Sequence, residues 1–159
     1  MQSTEKLAEL IHKKHQVLVQ LRDVGYRQSD LVSSGDTASL LKLLAAKQQL
    51  IMSLQALERQ LTPCYTEDPE RREWRTPEAR ARCAKQSAEC NTLLQEVVEL
   101  EKLSAKKMTM RRNEVAEQLQ QVHAAAQVRT AYQAHRRPQS LGSLSGLPVA
   151  ADRIGSEIG

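Results

Sequence analysis

Histidine and cysteine side chains are the first candidates for chemistry, because they bind metals and act as nucleophiles. His12 and His15 stand three positions apart in a helical stretch and would share one face, but no third ligand completes a zinc site beside them. Cys83 and Cys90 also share a helix face, and with Cys64 they form no Cys-x-x-Cys pair. We therefore expect surface histidines, cysteines that pack as small apolar residues, and no metal site.

Carboxylate and hydroxyl groups form no recognisable catalytic set. Acidic residues alternate with basic ones on predicted helix surfaces, and nothing pairs a nucleophile with a base and an orienting group. Ser34-Gly35-Asp36 is a turn that lacks the Gly-Lys-Ser/Thr ending of a phosphate-binding loop. The sequence therefore predicts no enzyme, no catalytic residues and no cofactor.

Basic side chains form three clusters that could contact phosphates. The clusters are Arg71-Arg72-Arg75, Arg80-Arg82-Lys85 and Lys106-Lys107-Arg111-Arg112. Only Trp74 places an aromatic ring among them, and the sequence shows no helix-turn-helix or similar DNA-recognition motif. The net charge of +4 is mild, so we interpret the clusters as solvated helix faces and expect no nucleic-acid partner. Nucleic-acid binding by the third helix stays open as an alternative.

The composition predicts the elements that must position these residues. The 159 residues include no Phe, three Tyr and one Trp, so the core must come from Leu, Val, Ala, Ile and Met. Such side chains suit narrow helix–helix interfaces better than β-sandwiches or barrels. Glycine and proline are absent between residues 78 and 137. An α/β or all-β fold needs turn residues more often, so both classes are excluded.

Apolar residues recur at three- and four-residue steps and predict helices at about residues 3–32, 37–62 and 77–135. Asp36 caps the second helix, Pro63 ends it, and Thr76-Pro77 starts the third. The first connection is short, so the first two helices are antiparallel. We predict an all-α fold: an antiparallel, coiled-coil-like three-helix bundle with one very long C-terminal helix. It forms a single domain over residues 1–137, followed by a flexible Gly/Ser-rich tail over 138–159.

The predicted helices differ greatly in length. A helix of about sixty residues spans about 90 Å, whereas each earlier helix spans on the order of 40 Å. Either the third helix bends near residues 104–113, or half of it extends past the hairpin with an apolar stripe that lacks an internal partner. We expect this stripe to contact another protein. Its residues are Val115, Leu119, Val122 and Ala126.

Apolar runs are too short for a membrane span. None exceeds about five residues, against the roughly 20 that a span needs. The first residues lack the hydrophobic stretch of a signal peptide, and three cysteines suit a reducing compartment. We therefore expect a cytoplasmic protein without direct membrane insertion.

The second helix resembles the flagellar export chaperone family FlgN. Between Leu43 and Glu58 the sequence reads Leu-x-x-x-Lys-Gln-x-Leu-Ile-x-x-Leu-x-x-Leu-Glu, a pattern that members of this family show around the equivalent of Lys47-Gln48. The layout over about residues 4–135 is similar as well: a helix of about thirty residues precedes this stretch, and a charged connection follows it. A very long helix then closes with Tyr132 before a Gly/Ser tail.

The resemblance implies a cytosolic chaperone of the flagellar type III secretion system. It implies two kinds of partner: hook–filament junction proteins of the FlgK and FlgL type, bound through their helical C-terminal regions, and the export gate protein FlhA. Cargo contact in the family is attributed to the C-terminal part of the long helix. The implied cargo-binding residues are Val115, Leu119, Val122 and Ala126. Tyr132 is the implied gate-docking residue, although Gln133 follows it where the family usually has glycine.

A second hypothesis is a self-assembling coiled-coil scaffold or adaptor. The same apolar stripe would then be a homodimer interface. Polar residues on or near the predicted seams disfavour a long regular coiled coil; they are Lys14, Lys47, Glu101 and Ser104. We expect a monomer or a weak homodimer.

Overall fold

The computed structural model describes residues 2–136, which form three α-helices. α1 spans Gln2–Ser34, α2 spans Thr37–Tyr65 and α3 spans Pro77–Arg136, with a short 3-10 helix at Pro69–Arg71 between α2 and α3. No strand occurs within the described residues. The predicted all-α, antiparallel three-helix architecture with a very long last helix is confirmed. The predicted tail, residues 138–159, lies outside the described residues.

The described residues divide into two units, with the boundary between Met110 and Arg111. The first contains α1, α2 and α3 as far as Met110, and the described part of the second, residues 111–136, is helical throughout. No helix within residues 2–136 combines the length and the apolarity that a membrane crossing requires. The single domain expected over residues 1–137 stays a prediction.

A tight turn joins α1 to α2. Gly35 adopts a φ of 76°, a left-handed conformation that costs glycine little, and its N–H donates to the carbonyl oxygen of Leu31 at 3.0 Å. Asp36 then caps α2, because its Oδ1 accepts from the backbone N–H of Ser39 at 3.1 Å. Hydrogen bonding to Ser39 lowers the pKa of the Asp36 carboxyl. The predicted start of α2 therefore rests on local hydrogen bonds.

The prediction that Pro63 ends α2 is wrong, because the helix continues to Tyr65. Proline removes one backbone N–H donor, and other contacts hold the last turn. Leu61 is fully buried, and Cys64 packs against the core that contains it. The carbonyl oxygen of Cys64 also accepts a hydrogen bond from Arg72 Nη2 at 2.5 Å. Tertiary contacts at the helix end therefore outweigh the local effect of the proline.

The start of α3 follows the sequence prediction. Thr76 Oγ1 accepts from the backbone N–H of Ala79 at 3.1 Å, and Pro77 occupies the first helical position, where its missing N–H costs nothing. The connection before it is tied to α1, because the Thr4 hydroxyl donates to the carbonyl oxygen of Glu73 at 2.8 Å.

Two small apolar clusters form the core of the first unit. The first consists of Leu7, Leu10, Ile11, Leu57, Leu61 and Cys83, and the second of Leu18, Leu21, Cys90 and Leu93. Burial raises the pKa of the Cys83 and Cys90 thiols, in keeping with cysteines that pack as apolar residues. Gly25 lets α1 approach α3 closely, since a Cβ there would lie 3.0 Å from Leu100 Cδ1.

Buried lysines join the helices where the core is narrow. Lys14 Nζ on α1 lies 2.5 Å from Glu58 Oε1 and 3.4 Å from Tyr65 Oη, both on α2. Burial lowers the pKa of Lys14, but the hydrogen bond to Glu58 and the contact with Tyr65 outweigh this effect, so the pKa is raised. Each lysine that is taken out of water thus needs acceptors from a neighbouring helix.

Lys47 joins all three helices. Its ammonium group donates to Gln28 Oε1 on α1 at 3.0 Å and to Glu101 Oε2 on α3. The side chain of Gln28 is almost completely buried, whereas that of Glu101 is half exposed. The hydrogen bond from Lys47 therefore offsets the free energy that is lost when the Gln28 amide is removed from water.

We expect Lys47→Ala to lower the free energy of unfolding by about 1–3 kcal/mol, because buried Gln28 loses its donor. Urea unfolding followed by circular dichroism measures this change. The double variant Lys47→Met with Gln28→Leu removes both polar groups and should restore most of the loss. Lys42→Ala, at an exposed position of the same helix, is the control; an equal loss there contradicts the assignment.

Candidate partner-binding site

The candidate site lies on the part of α3 in the second unit. Every described side chain from Arg111 to Gln133 is exposed. Leu119 and Val122 keep 64% and 66% of their surface accessible, whereas the core leucines keep 9% or less. Since large apolar side chains are rarely this exposed in a cluster without a function, this stretch is the strongest candidate for a partner-binding surface.

The structure places the four predicted cargo residues on one face of α3. Steps of four, three and four residues separate them, so they follow one another along a helix with 3.6 residues per turn. They form an exposed stripe that we call the apolar face: Val115, Leu119, Val122 and Ala126. The arrangement can bury an apolar partner surface, most simply the face of a second helix.

Tyr132 lies on a different side of the same helix. It follows Ala126 by six residues, which turns it about 120° around the helix axis. Its ring is 60% exposed. Tyr132, the predicted gate-docking residue, is therefore exposed outside the apolar face, on another side of the helix.

Sequence reasoning missed Val128. Its side chain is 70% exposed, and it precedes Tyr132 by four residues, so the two side chains are neighbours on one face. We call this pair the Val128–Tyr132 patch. The four-residue spacing between Val128 and Tyr132 predicts that the two side chains share a face, but Val128 falls outside the main apolar stripe.

Three polar side chains near Ala126 form hydrogen bonds within the helix. The Thr130 hydroxyl donates to the carbonyl oxygen of Ala126 at 2.9 Å, and the side chains of Gln127 and His123 are 3.2 Å apart at their hydrogen-bonding nitrogens. Both contacts join residues four positions apart on the helix.

The histidines of α1 contact residues of α3 within the first unit. His15 Nε2 lies 2.7 Å from Glu89 Oε2, and His12 Nδ1 lies 3.0 Å from Gln86 Nε2. Within residues 2–136, no three His, Cys, Asp or Glu side chains come together in a group that could hold a metal. The two histidines therefore help to join α1 to α3.

Several members of the basic clusters are engaged by other residues of the chain. Arg75 Nη2 lies 3.4 Å from Glu5 Oε1, and Lys107 Nζ donates to the hydroxyls of Ser29 and Ser33 at 2.6 and 3.0 Å. These contacts join α3 and the connection before it to α1. Two of the basic side chains, Arg75 and Lys107, thus bind residues of α1.

Comparison with known proteins gives one match. Residues 1–140 match the model of a protein family described as FlgN protein. Searches of the curated proteins and of the solved structures gave no significant match. The family match spans both the apolar face and the Val128–Tyr132 patch.

We expect residues of the apolar face to contribute little to folding. Leu119→Ala should change the free energy of unfolding by less than about 0.5 kcal/mol, since the side chain is already in water. The same substitution at fully buried Leu18 should cost about 2–5 kcal/mol. Thermal unfolding followed by circular dichroism compares them. Equal losses would show that Leu119 packs inside the free protein.

Proposed function

This chain belongs to the FlgN family of flagellar export chaperones, and we propose that it binds hook–filament junction proteins of the FlgK and FlgL type and delivers them to the export gate protein FlhA. The observation that carries the proposal is the exposure of the apolar face on residues 115–126. A chaperone needs such a surface when it is free, because the cargo covers it in the complex.

The proposed mechanism is the addition of cargo helices to the apolar face. Helical cargo segments lay their own apolar side chains against Val115, Leu119 and Val122 and bury them from water. Each Å² of apolar surface buried contributes about 25 cal/mol. Cargo surface covered in this way is not available for premature polymerisation. Burial alone supplies the driving force, so the mechanism needs no cofactor or nucleotide and can operate in the cytoplasm.

Delivery to the gate uses the Val128–Tyr132 patch in this proposal. The patch faces away from the apolar face by about a third of a turn, so a gate protein can reach it while cargo is bound. Tyrosine suits a docking contact, because its ring buries a large area while its hydroxyl forms a hydrogen bond at the rim. Release then requires the gate to compete for part of the cargo-binding surface.

We expect the double variant Leu119→Asp with Val122→Asp to raise the Kd for a FlgK-type cargo fragment at least about thirtyfold, because two carboxylates must lose water in an apolar interface. Isothermal titration calorimetry measures the Kd. The matched control is Asn113→Asp with Gln120→Asp, which adds the same charge at exposed positions on the other side of the helix. Retained binding in the Leu119/Val122 variant places the cargo elsewhere.

The same pair of variants tests the homodimeric scaffold. Light scattering of the free protein across a concentration series gives its mass. The scaffold hypothesis is supported, and the chaperone hypothesis contradicted, if the free protein is a dimer that only the Leu119/Val122 variant converts to a monomer, and if the cargo Kd is unchanged. A protein that is monomeric at all concentrations contradicts the scaffold hypothesis.

We expect Tyr132→Ala to weaken binding of the cargo-loaded chaperone to the cytoplasmic part of FlhA at least about tenfold, since ring burial is lost. The Kd for cargo itself should change less than about twofold, because Tyr132 lies outside the apolar face. Surface plasmon resonance with immobilised FlhA gives the first value. Tyr132→Phe separates the ring from the hydroxyl. An unchanged FlhA affinity in Tyr132→Ala would place gate docking on other residues.

A further inference from the structure

A cavity of about 360 Å³ lies in the first unit, where the early turns of α1 and α3 meet the connection after α2. Leu7, Ile11 and Cys83, all nearly buried, supply apolar surface. Tyr65 and Trp74 add two aromatic rings. A cavity of this size accommodates a bulky side chain, and none of its lining residues belongs to the second unit.

The charged residues that line this cavity are all cationic. They are Arg72 and Arg80. The Cys83 thiol adds no negative charge at neutral pH, because burial raises its pKa. An apolar interior with two guanidinium groups and no carboxylate among its lining residues is complementary to an apolar group with an adjacent anion.

Arg72 is held in position and keeps unused hydrogen-bonding capacity. Its Nη2 donates to the carbonyl oxygen of Cys64 at 2.5 Å, and its side chain is only 17% exposed. Its Nε is buried without a hydrogen-bond partner, and the nearest carboxylate oxygen, Glu67 Oε2, lies 4.0 Å away. A guanidinium that is partly desolvated and incompletely paired binds an added carboxylate more strongly than a solvated one does.

We propose that this cavity is a second protein-binding site, which accepts one bulky apolar side chain of a partner's peptide segment and binds an adjacent carboxylate of that segment through Arg72 and Arg80. The apolar side chain lies between Trp74 and the floor formed by Ile11 and Cys83. Aromatic walls favour a ring as this side chain. The partner is thus a segment in which phenylalanine stands next to an acidic residue.

Trp74 is the one tryptophan of the chain, so its fluorescence reports on this cavity alone. The probe is the blocked peptide acetyl-Gly-Phe-Glu-Gly-amide, titrated into the full-length protein. We expect a saturable change in Trp74 emission. Bound peptide should also slow alkylation of Cys83, which lines the cavity, but not that of Cys90, which does not. Absence of a saturable change at millimolar peptide overturns the proposal.

Peptide and protein variants test the charge requirement. Glutamine in place of the peptide's glutamate should weaken binding at least about tenfold, because it removes the ion pair with partly desolvated Arg72. Arg80→Gln in the protein should weaken binding about threefold, because Arg80 is exposed and its ion pair is screened by water. Arg71→Gln is the matched control: Arg71 is 89% exposed and does not line this cavity. Arg80→Gln leaves the hydrogen bond between Arg72 and Cys64 in place. Equal binding of both peptides, or an equal loss in Arg71→Gln, contradicts the proposal.

Discussion

The narrowness of the apolar core is the constraint on which the first unit depends. A chain without phenylalanine fills the space between its helices with leucine, isoleucine and cysteine, which form two small clusters. Such a core buries little area, and leucines at helical spacing fit several helix registers almost equally well. The unit therefore needs contacts that specify one register, and the buried lysines supply them.

The lysines specify the register because their acceptors lie on other helices. Lys14 meets Glu58 and Tyr65 across the α1–α2 interface, and Lys47 meets acceptors on both α1 and α3. A shift of one helix by one turn, about 5.4 Å, would leave a desolvated ammonium without its acceptors. These contacts cost desolvation free energy and give specificity in return, as buried polar groups do in coiled coils.

The two units of the chain differ in how they treat apolar side chains: the first buries clusters of them, and the second exposes a row of them. In the first, two apolar clusters are buried between the helices, and Gly25 lets α1 and α3 approach closely. In the second, residues 111–136 rely on backbone hydrogen bonds and local side-chain bonds, while the apolar face remains in water. In the proposed function, the bundle gives the protein its stability, and the apolar face gives it a surface that helical cargo can cover.

The sequence by itself determined the three helices, the caps at Asp36 and Thr76, the apolar character of the cysteines and the four residues of the apolar face. These features depend on side-chain periodicity and on hydrogen bonds between residues three or four positions apart. Only the tertiary structure decided that α2 continues through Pro63, that Lys47 bonds to Gln28 and Glu101, and that Arg72 lines a cavity with Trp74. Lys47 and Glu101 stand 54 positions apart. Contacts over such separations depend on how whole helices pack, and local periodicity carries no information about them.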